Sequence, residues 1–179
     1  MRWVALLRGV NVGGNRKLPM ADLRRFAEDL GFTEVTTLLA SGNLVFTVPD
    51  SDPAALETRL EQAAEAQLGL RTDIFVRSAA DVRGVVAANP FPDQAPDRPG
   101  HLLVHFHRDP VPSAWVDAVS AENSGAERLV ARGRELFVDY RDGIGTSALP
   151  PLMIKARHRR LNTARNWNTV TALLALLEG

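Results

Sequence analysis

Apolar and polar positions along the chain repeat with two periods, and the period at each point decides the element. Residues 3–8 form a short apolar run that suits a strand buried on both faces. A glycine-containing loop follows at 9–17. Residues 19–30 then place Leu23, Phe26, Ala27 and Leu30 on one helical face, with Pro19 fitted to the first turn. Gly31 stands where a left-handed helix end belongs, and Phe32 is placed to cover it. Residues 34–40 and 44–48 read as two strands joined by a turn through Ser41, Gly42 and Asn43. Asp52 can cap a helix with Pro53 at its first position and Leu56, Leu60, Ala64 and Leu68 along one stripe, ended by Gly69. Residues 73–76 supply a fourth strand, so the order is βαββαβ, the ferredoxin-like arrangement.

The remaining pattern resembles the first without repeating its sequence. Ser78 and Asp81 form a capping-box pattern before a helix at 79–88, which Asn89 and Pro90 end. Residues 91–100 contain three prolines and read as a linker or long loop. A strand at 101–107 and a helix at 113–122 follow. Strands 127–132 and 135–140 pair across Gly133-Arg134, a two-residue turn with glycine first. A Gly- and Pro-rich loop (141–151) and a basic stretch lead to a last helix starting near Thr163 and burying Trp167, Val170, Leu174 and Leu177. The expected class is therefore α+β: two ferredoxin-like (βαββαβ-type) halves, 1–77 and 78–179, packed as one compact body, the second half lacking its last strand. The pattern leaves open whether the halves share one sheet.

Composition narrows the chemistry. A chain of 179 residues with 45% apolar content can bury a sizeable core. The absence of cysteine excludes disulfide scaffolds, thiolate zinc sites, iron–sulfur clusters and thiol nucleophiles. The apolar run near the N-terminus is short for a signal peptide, and TALLALL near the C-terminus is shorter than the ~20 residues of a membrane span. The expectation is a cytoplasmic protein with no membrane partner. Its net charge of zero hides a division. Residues 1–21 carry Arg2, Arg8, Arg16 and Lys17 and no acid; residues 143–177 carry Lys155, Arg157, Arg159, Arg160 and Arg165 and no acid. The rest has 12 basic residues against 21 acidic ones. Two basic segments can produce a local positive field if the fold brings them together, or can simply be solvated.

Three stretches, ALLRGVNVGGNRKLPMADL (5–23), LLASGNLVF (38–46) and RLNTARNWNTV (160–170), resemble a bacterial family of uncharacterised proteins, domain of unknown function 1697. The match extends over nearly the whole chain. It rests on Arg8, Gly9, Asn11, Gly13, Gly14 and Met20, on Ser41, Gly42 and Asn43, and on Thr163, Arg165, Asn166, Trp167 and Thr169. Tyr140, Gly143 and Ser147 fit the same pattern. The resemblance implies an α+β body of ferredoxin-like topology and no activity, substrate or cofactor.

The residues themselves suggest an anion. The loop RGVNVGGNRK lies between a strand and a helix start, where glycines let backbone approach a ligand and free N–H groups favour negative charge. It matches neither the phosphate loop G-x-x-x-x-G-K-[ST] nor the dinucleotide pattern G-x-G-x-x-G, and its glycines serve equally as turn formers. In the last motif, Asn162 and Thr163 can cap the final helix, which would put Arg165 in its first turn, against the helix dipole. A bound anion would remove that conflict; Arg165 pointing into solvent would also accommodate it. A base-stacking sheet of the RNA-recognition type is poorly furnished, with 6% aromatic residues and one tyrosine.

His101, His105 and His107 share one face of their strand, and His105 with His107 could hold a metal. No third ligand is identifiable, and polar alternation on an exposed strand explains the pattern more simply, so no metal and no cofactor are expected. Tyr140, Ser147, Lys155 and His158 offer nucleophile, acid or base chemistry, but no spacing ties a base to a serine. The leading expectation is a binding protein for a nucleic acid or nucleotide held between the two basic segments. Arg8, Arg16, Lys17, Arg160 and Arg165 would supply charge, Gly13 and Gly14 the backbone approach, and Asn11, Ser41, Asn43 and Asn166 orientation. The alternatives are an enzyme acting on a small phosphorylated or carboxylated molecule in the same pocket, and an assembly module. The oligomeric state is not fixed by the sequence.

Overall fold

The structure, a computed structural model, describes residues 1–12, 17–155 and 157–179. The chain divides into two compact units, one of Met1–Gly84 with Ala172–Gly179 and one of Val85–Thr171. The division falls after Gly84, where the sequence pattern placed it after residue 77.

In the first unit the elements are β1 (Arg2–Leu7), α1 (Met20–Asp29), β2 (Thr33–Leu38), β3 (Asn43–Thr47), α2 (Pro53–Leu68) and β4 (Ile74–Ser78), followed by α3 (Ala79–Ala87). The strands form an antiparallel sheet in the order β2-β3-β1-β4, which is the ferredoxin-like order. Its register pairs Trp3 with Phe46 and Ala5 with Val76. Those side chains meet Leu23, Phe26 and Ala27 of α1 and Leu56, Leu60 and Ala64 of α2 in one core.

Local chemistry sets the element ends. Asp52 accepts from the Ala55 N–H at 2.9 Å, capping α2. Past α1, the Phe32 N–H donates to Ala27 and the Gly31 N–H to Glu28, the two bonds of a Schellman ending. Phe32 is thereby set against Phe46, ring centroids 4.5 Å apart. Ser78 and Asp81 bond reciprocally at the start of α3, as a capping box does.

The second unit contains α4 (Gln94–Asp97), β5 (Leu102–His107), α5 (Ser113–Glu122), β6 (Arg128–Arg132), β7 (Glu135–Asp139), a 3₁₀ turn (Ile144–Thr146), α6 (Leu149–Met153) and β8 (Asn162–Asn166), before α7 (Trp167–Glu178). Its sheet order, β6-β7-β5-β8, is again ferredoxin-like and antiparallel. The α+β class with two similar ferredoxin-like halves is as the sequence pattern indicated.

One part of that expectation is corrected: the second half has its last strand. β8 pairs with β5 from Leu103↔Asn166 to His107↔Asn162, and α7 begins at Trp167, not near Thr163. The cause is an alternation in burial without an alternation in hydropathy, because the buried positions of β8 are Thr163 and Arg165. In α7 Leu177 is buried as expected, and Leu173 is buried in place of Leu174.

Candidate functional site

The first two motifs meet at one end of the first sheet. The Leu7 N–H donates to Gly42 at 2.9 Å, joining the end of β1 to the β2–β3 turn. Asn11 is the centre of this junction. Its Nδ2 donates to the Leu18 carbonyl at 2.9 Å and to the Ala40 carbonyl at 2.6 Å, while its Oδ1 accepts from the Leu18 N–H at 2.8 Å. Its φ of 55° lies in the left-handed region, which asparagine tolerates better than most residues. Asn43 is fully buried and donates to Leu38 at 2.9 Å and to the Ser41 hydroxyl at 3.0 Å. These polar side chains build the turn. Gly13, Gly14 and Arg16 lie outside the described residues. Lys17 is exposed, and Arg8 reaches Asp73 at 3.4 Å. An open groove of about 530 Å³ beside Arg8 carries Glu61, Glu65 and Asp73 against Arg8 and Arg71, a balance that does not favour an anion.

The third motif is divided between two tasks. Arg165 lies in β8 rather than in a helical first turn. It is 7% exposed, and its Nη1 donates at 2.8 Å to both the Thr163 hydroxyl and the Ala164 carbonyl. Burial lowers its pKa to about 10, which leaves it charged at neutral pH. Asn166 caps α7, accepting from the Thr169 N–H at 3.0 Å and from the Thr169 hydroxyl at 2.9 Å. The conflict between a cation and the helix dipole therefore does not arise.

A concentration of positive charge does form within the second unit, where the chain leaving β5 runs beside the chain entering β8. A pocket of about 230 Å³ is lined there by His107, Arg108, Asp109, Arg159, Arg160 and Leu161, setting three guanidinium groups against one carboxylate. Arg160 lies over the Trp115 ring, 5.9 Å from its centroid, and donates from Nη2 to the Pro110 carbonyl at 3.0 Å. Its Nε is buried with no acceptor among the described residues. Such an orphan donor is uncommon in a folded protein.

The segment carrying these arginines is anchored to α5. Trp115 Nε1 donates to the His158 carbonyl at 3.1 Å, His158 Nε2 lies 2.8 Å from Glu122, and Arg157 pairs with the same carboxylate. Hydrogen bonds from Arg157 and His158 hold Glu122 below its ordinary pKa.

His105 and His107 are buried, 8% and 1% exposed, and are not the exposed polar face the alternation suggested. His105 sets Nδ1 3.0 Å from Asn162 Oδ1, and His107 packs edge-on to Trp115 with ring centroids 6.5 Å apart. Burial foremost, then the fields of His105 and Arg160, lowers the His107 pKa to about 4. The ring at the edge of the arginine pocket is therefore neutral at pH 7. Among the described residues no group of three or more histidine or acidic side chains is arranged to hold a metal ion.

The residues considered for catalysis are engaged otherwise. Tyr140 is 1% exposed in the apolar cluster with Leu136, Val138 and Leu149, and burial, with the nearby Glu127, raises its pKa so that the phenol stays protonated. Ser147 donates to Glu127 and accepts from the Leu149 N–H at 3.1 Å, which starts α6. Lys155 is exposed.

Of the arginine pocket, the sequence reading assigned only Arg160 to a ligand; Arg159 was counted only as part of the basic segment, His107 was weighed only as a metal ligand, and Arg108 was missed. Recognising 162–166 as a strand antiparallel to 103–107 would have brought them together, because that register brings residues 107–109 beside 159–161.

The model of a family described as "Protein of unknown function (DUF1697)" matches residues 1–137. No curated protein matches the chain. Among solved structures, "conserved bacterial protein SP0830 from Streptococcus pneumoniae" is similar, with 24% sequence identity, a TM-score of 0.76, and 98% of each chain covered. That likeness supports the fold. No helix among the described residues is long and apolar enough to cross a membrane.

Proposed function

We propose that this chain, which belongs to the DUF1697 family, is a cytoplasmic binding protein for a phosphate-bearing ligand, a nucleotide or a nucleic acid. The observation that carries the reading is the pocket between residues 107–109 and 159–161, with its three arginines and single aspartate. Guanidinium groups present planar forks of donors that match phosphate oxygens and keep their charge throughout the physiological range. Arg159, exposed in that lining, presents its guanidinium fork to solvent. Charge in the ligand role passes from Arg165, which is built into a strand, to Arg108, Arg159 and Arg160.

Calorimetric titration with mononucleotides and short oligonucleotides, at low and moderate salt, tests the reading. Binding should weaken with salt, and Arg159→Ala, at an exposed position, should weaken it about tenfold or more while leaving Tm within about 2 °C. Absence of heat with every phosphate compound at both salt concentrations would end the proposal.

A further inference from the structure

We infer that the arginine pocket recognises a terminal phosphomonoester, the end group of a nucleotide or of a strand, in preference to an internal phosphodiester. This rests on the phosphate reading above and deepens it.

Size is the first reason. At about 230 Å³ the pocket is smaller than the roughly 300–1,000 Å³ of sites that enclose a whole small molecule. It has room for a phosphoryl group and the first atoms attached to it. A chain passing through would have to enter and leave, and the lining residues supply one short run on each side, not an extended row of cations.

Charge is the second. Three guanidiniums and one carboxylate leave an excess of two positive charges. A monoester at neutral pH carries roughly −1.5 to −2 and three acceptor oxygens, whereas a diester carries one charge and two free oxygens. The net positive lining, with Arg159 exposed in it, therefore matches the monoester better.

His107, in the pocket lining, adds no charge of its own near neutral pH. His107 and, behind it, His105 are buried; Arg108 and Asp109 face the pocket from the end of β5, and Arg159 and Arg160 from the approach to β8. Arg134 borders His107 through its carbonyl, which accepts from the His107 N–H at 3.0 Å. From α5, Trp115 is uncharged, and Glu122 is held by Arg157 and His158. His107 stays neutral across the range tested, and a monoester's own second pKa lies near 6.

The test is calorimetric titration of the full chain with adenosine 5′-monophosphate, adenosine 3′,5′-cyclic monophosphate and adenosine, at pH 7.5 and 5.5. The monophosphate should bind about tenfold or more tightly than the cyclic diester at pH 7.5, and adenosine should not bind. On lowering the pH to 5.5 the monophosphate should weaken about fourfold, the fall in its dianion fraction for a second pKa near 6, while any cyclic-diester binding stays level. Arg160→Gln should abolish the difference between the two phosphates, and Arg159→Ala, with circular dichroism confirming its fold, should reduce it.

Equal binding of the two phosphates, or monophosphate binding that does not change with pH, would overturn the inference and leave the broader phosphate reading standing. Binding of neither would overturn the inference, and no heat from the oligonucleotides as well would overturn the broader phosphate reading with it. A pair of hexathymidylates, one 5′-phosphorylated and one 5′-hydroxyl, separates the sources of the monoester. Preference for the phosphorylated strand assigns a strand end, and preference confined to the mononucleotide assigns a free nucleotide; loss of preference with every monoester counts against the inference.

Discussion

Asn11 sits in the motif that most suggested ligand contact, yet both of its amide hydrogens and its carbonyl oxygen are engaged with backbone. An asparagine in a glycine-containing loop reads as readily for ligand orientation as for loop closure, because both uses need the same donors and acceptor. Only the three-dimensional neighbours, Leu18 and Ala40, decide it. Arg165 shows the opposite ambiguity. A charged residue is expected outside, but this one is buried and bonded to Thr163 and Ala164, and nothing in RLNTARNWNT marks it as interior. If Asn11 closes the loop, Asn11→Ala should destabilise the protein by about 2–4 kcal/mol through lost hydrogen bonds and a left-handed φ that alanine resists. Urea unfolding measures this, and a change below 0.5 kcal/mol would reassign the residue.

At the scale of elements, sequence signals served well where capping and hydrophobic period coincide. Asp52 with Pro53, Ser78 with Asp81, and Gly31 followed by Phe32 each place a boundary that the hydrogen bonds reproduce. β8 was illegible because its inward residues are polar and because Asn162 and Thr163 are themselves good caps. The cap that does start α7, Asn166, stands four residues later.

Two glycines with the same backbone sign separate conformational from steric demand. Gly42 has φ +73°, and a Cβ there would lie 2.9 Å from the Leu7 Cβ and 3.3 Å from that of Val10. Gly31 has φ +80° and open space around it. Gly31→Ala should therefore cost about 1–2 kcal/mol for the left-handed conformation alone. Gly42→Ala should cost about 1–3 kcal/mol beyond that, because two rigid Cβ atoms must give way and β1 is tied to the turn at that point. Equal Tm losses in the two variants, measured by calorimetry, would contradict this account.

For the molecule as a whole, the halves and their sheets follow from apolar runs, whereas the buried polar residues do not. Arg77, fully buried 4.0 Å from Glu57, and the pair His105 and His107 all occupy strand positions where alternation predicts either an apolar or an exposed residue. The histidines give stability a pH dependence of defined sign. His107 has its pKa lowered from 6.5 to about 4 on folding, and His105 is shifted in the same direction by burial. Below pH 6.5 the unfolded chain binds protons that the folded chain refuses, so stability falls as pH drops from 6.5 towards 4. His107 alone should account for about 3 kcal/mol of that loss. Urea midpoints between pH 7 and 4.5 should fall steadily, and His107→Gln should flatten the slope; a level profile in the parent protein would refute the assignment.

The first unit is assembled from two separated stretches, Met1–Gly84 and Ala172–Gly179. Arg2 donates to the Leu176 carbonyl at 2.8 Å, and Arg83 pairs with Glu178 at the same distance. The first unit therefore closes on contacts as far as 174 residues apart in sequence, the long-range kind that slow folding because the intervening loop must be closed first.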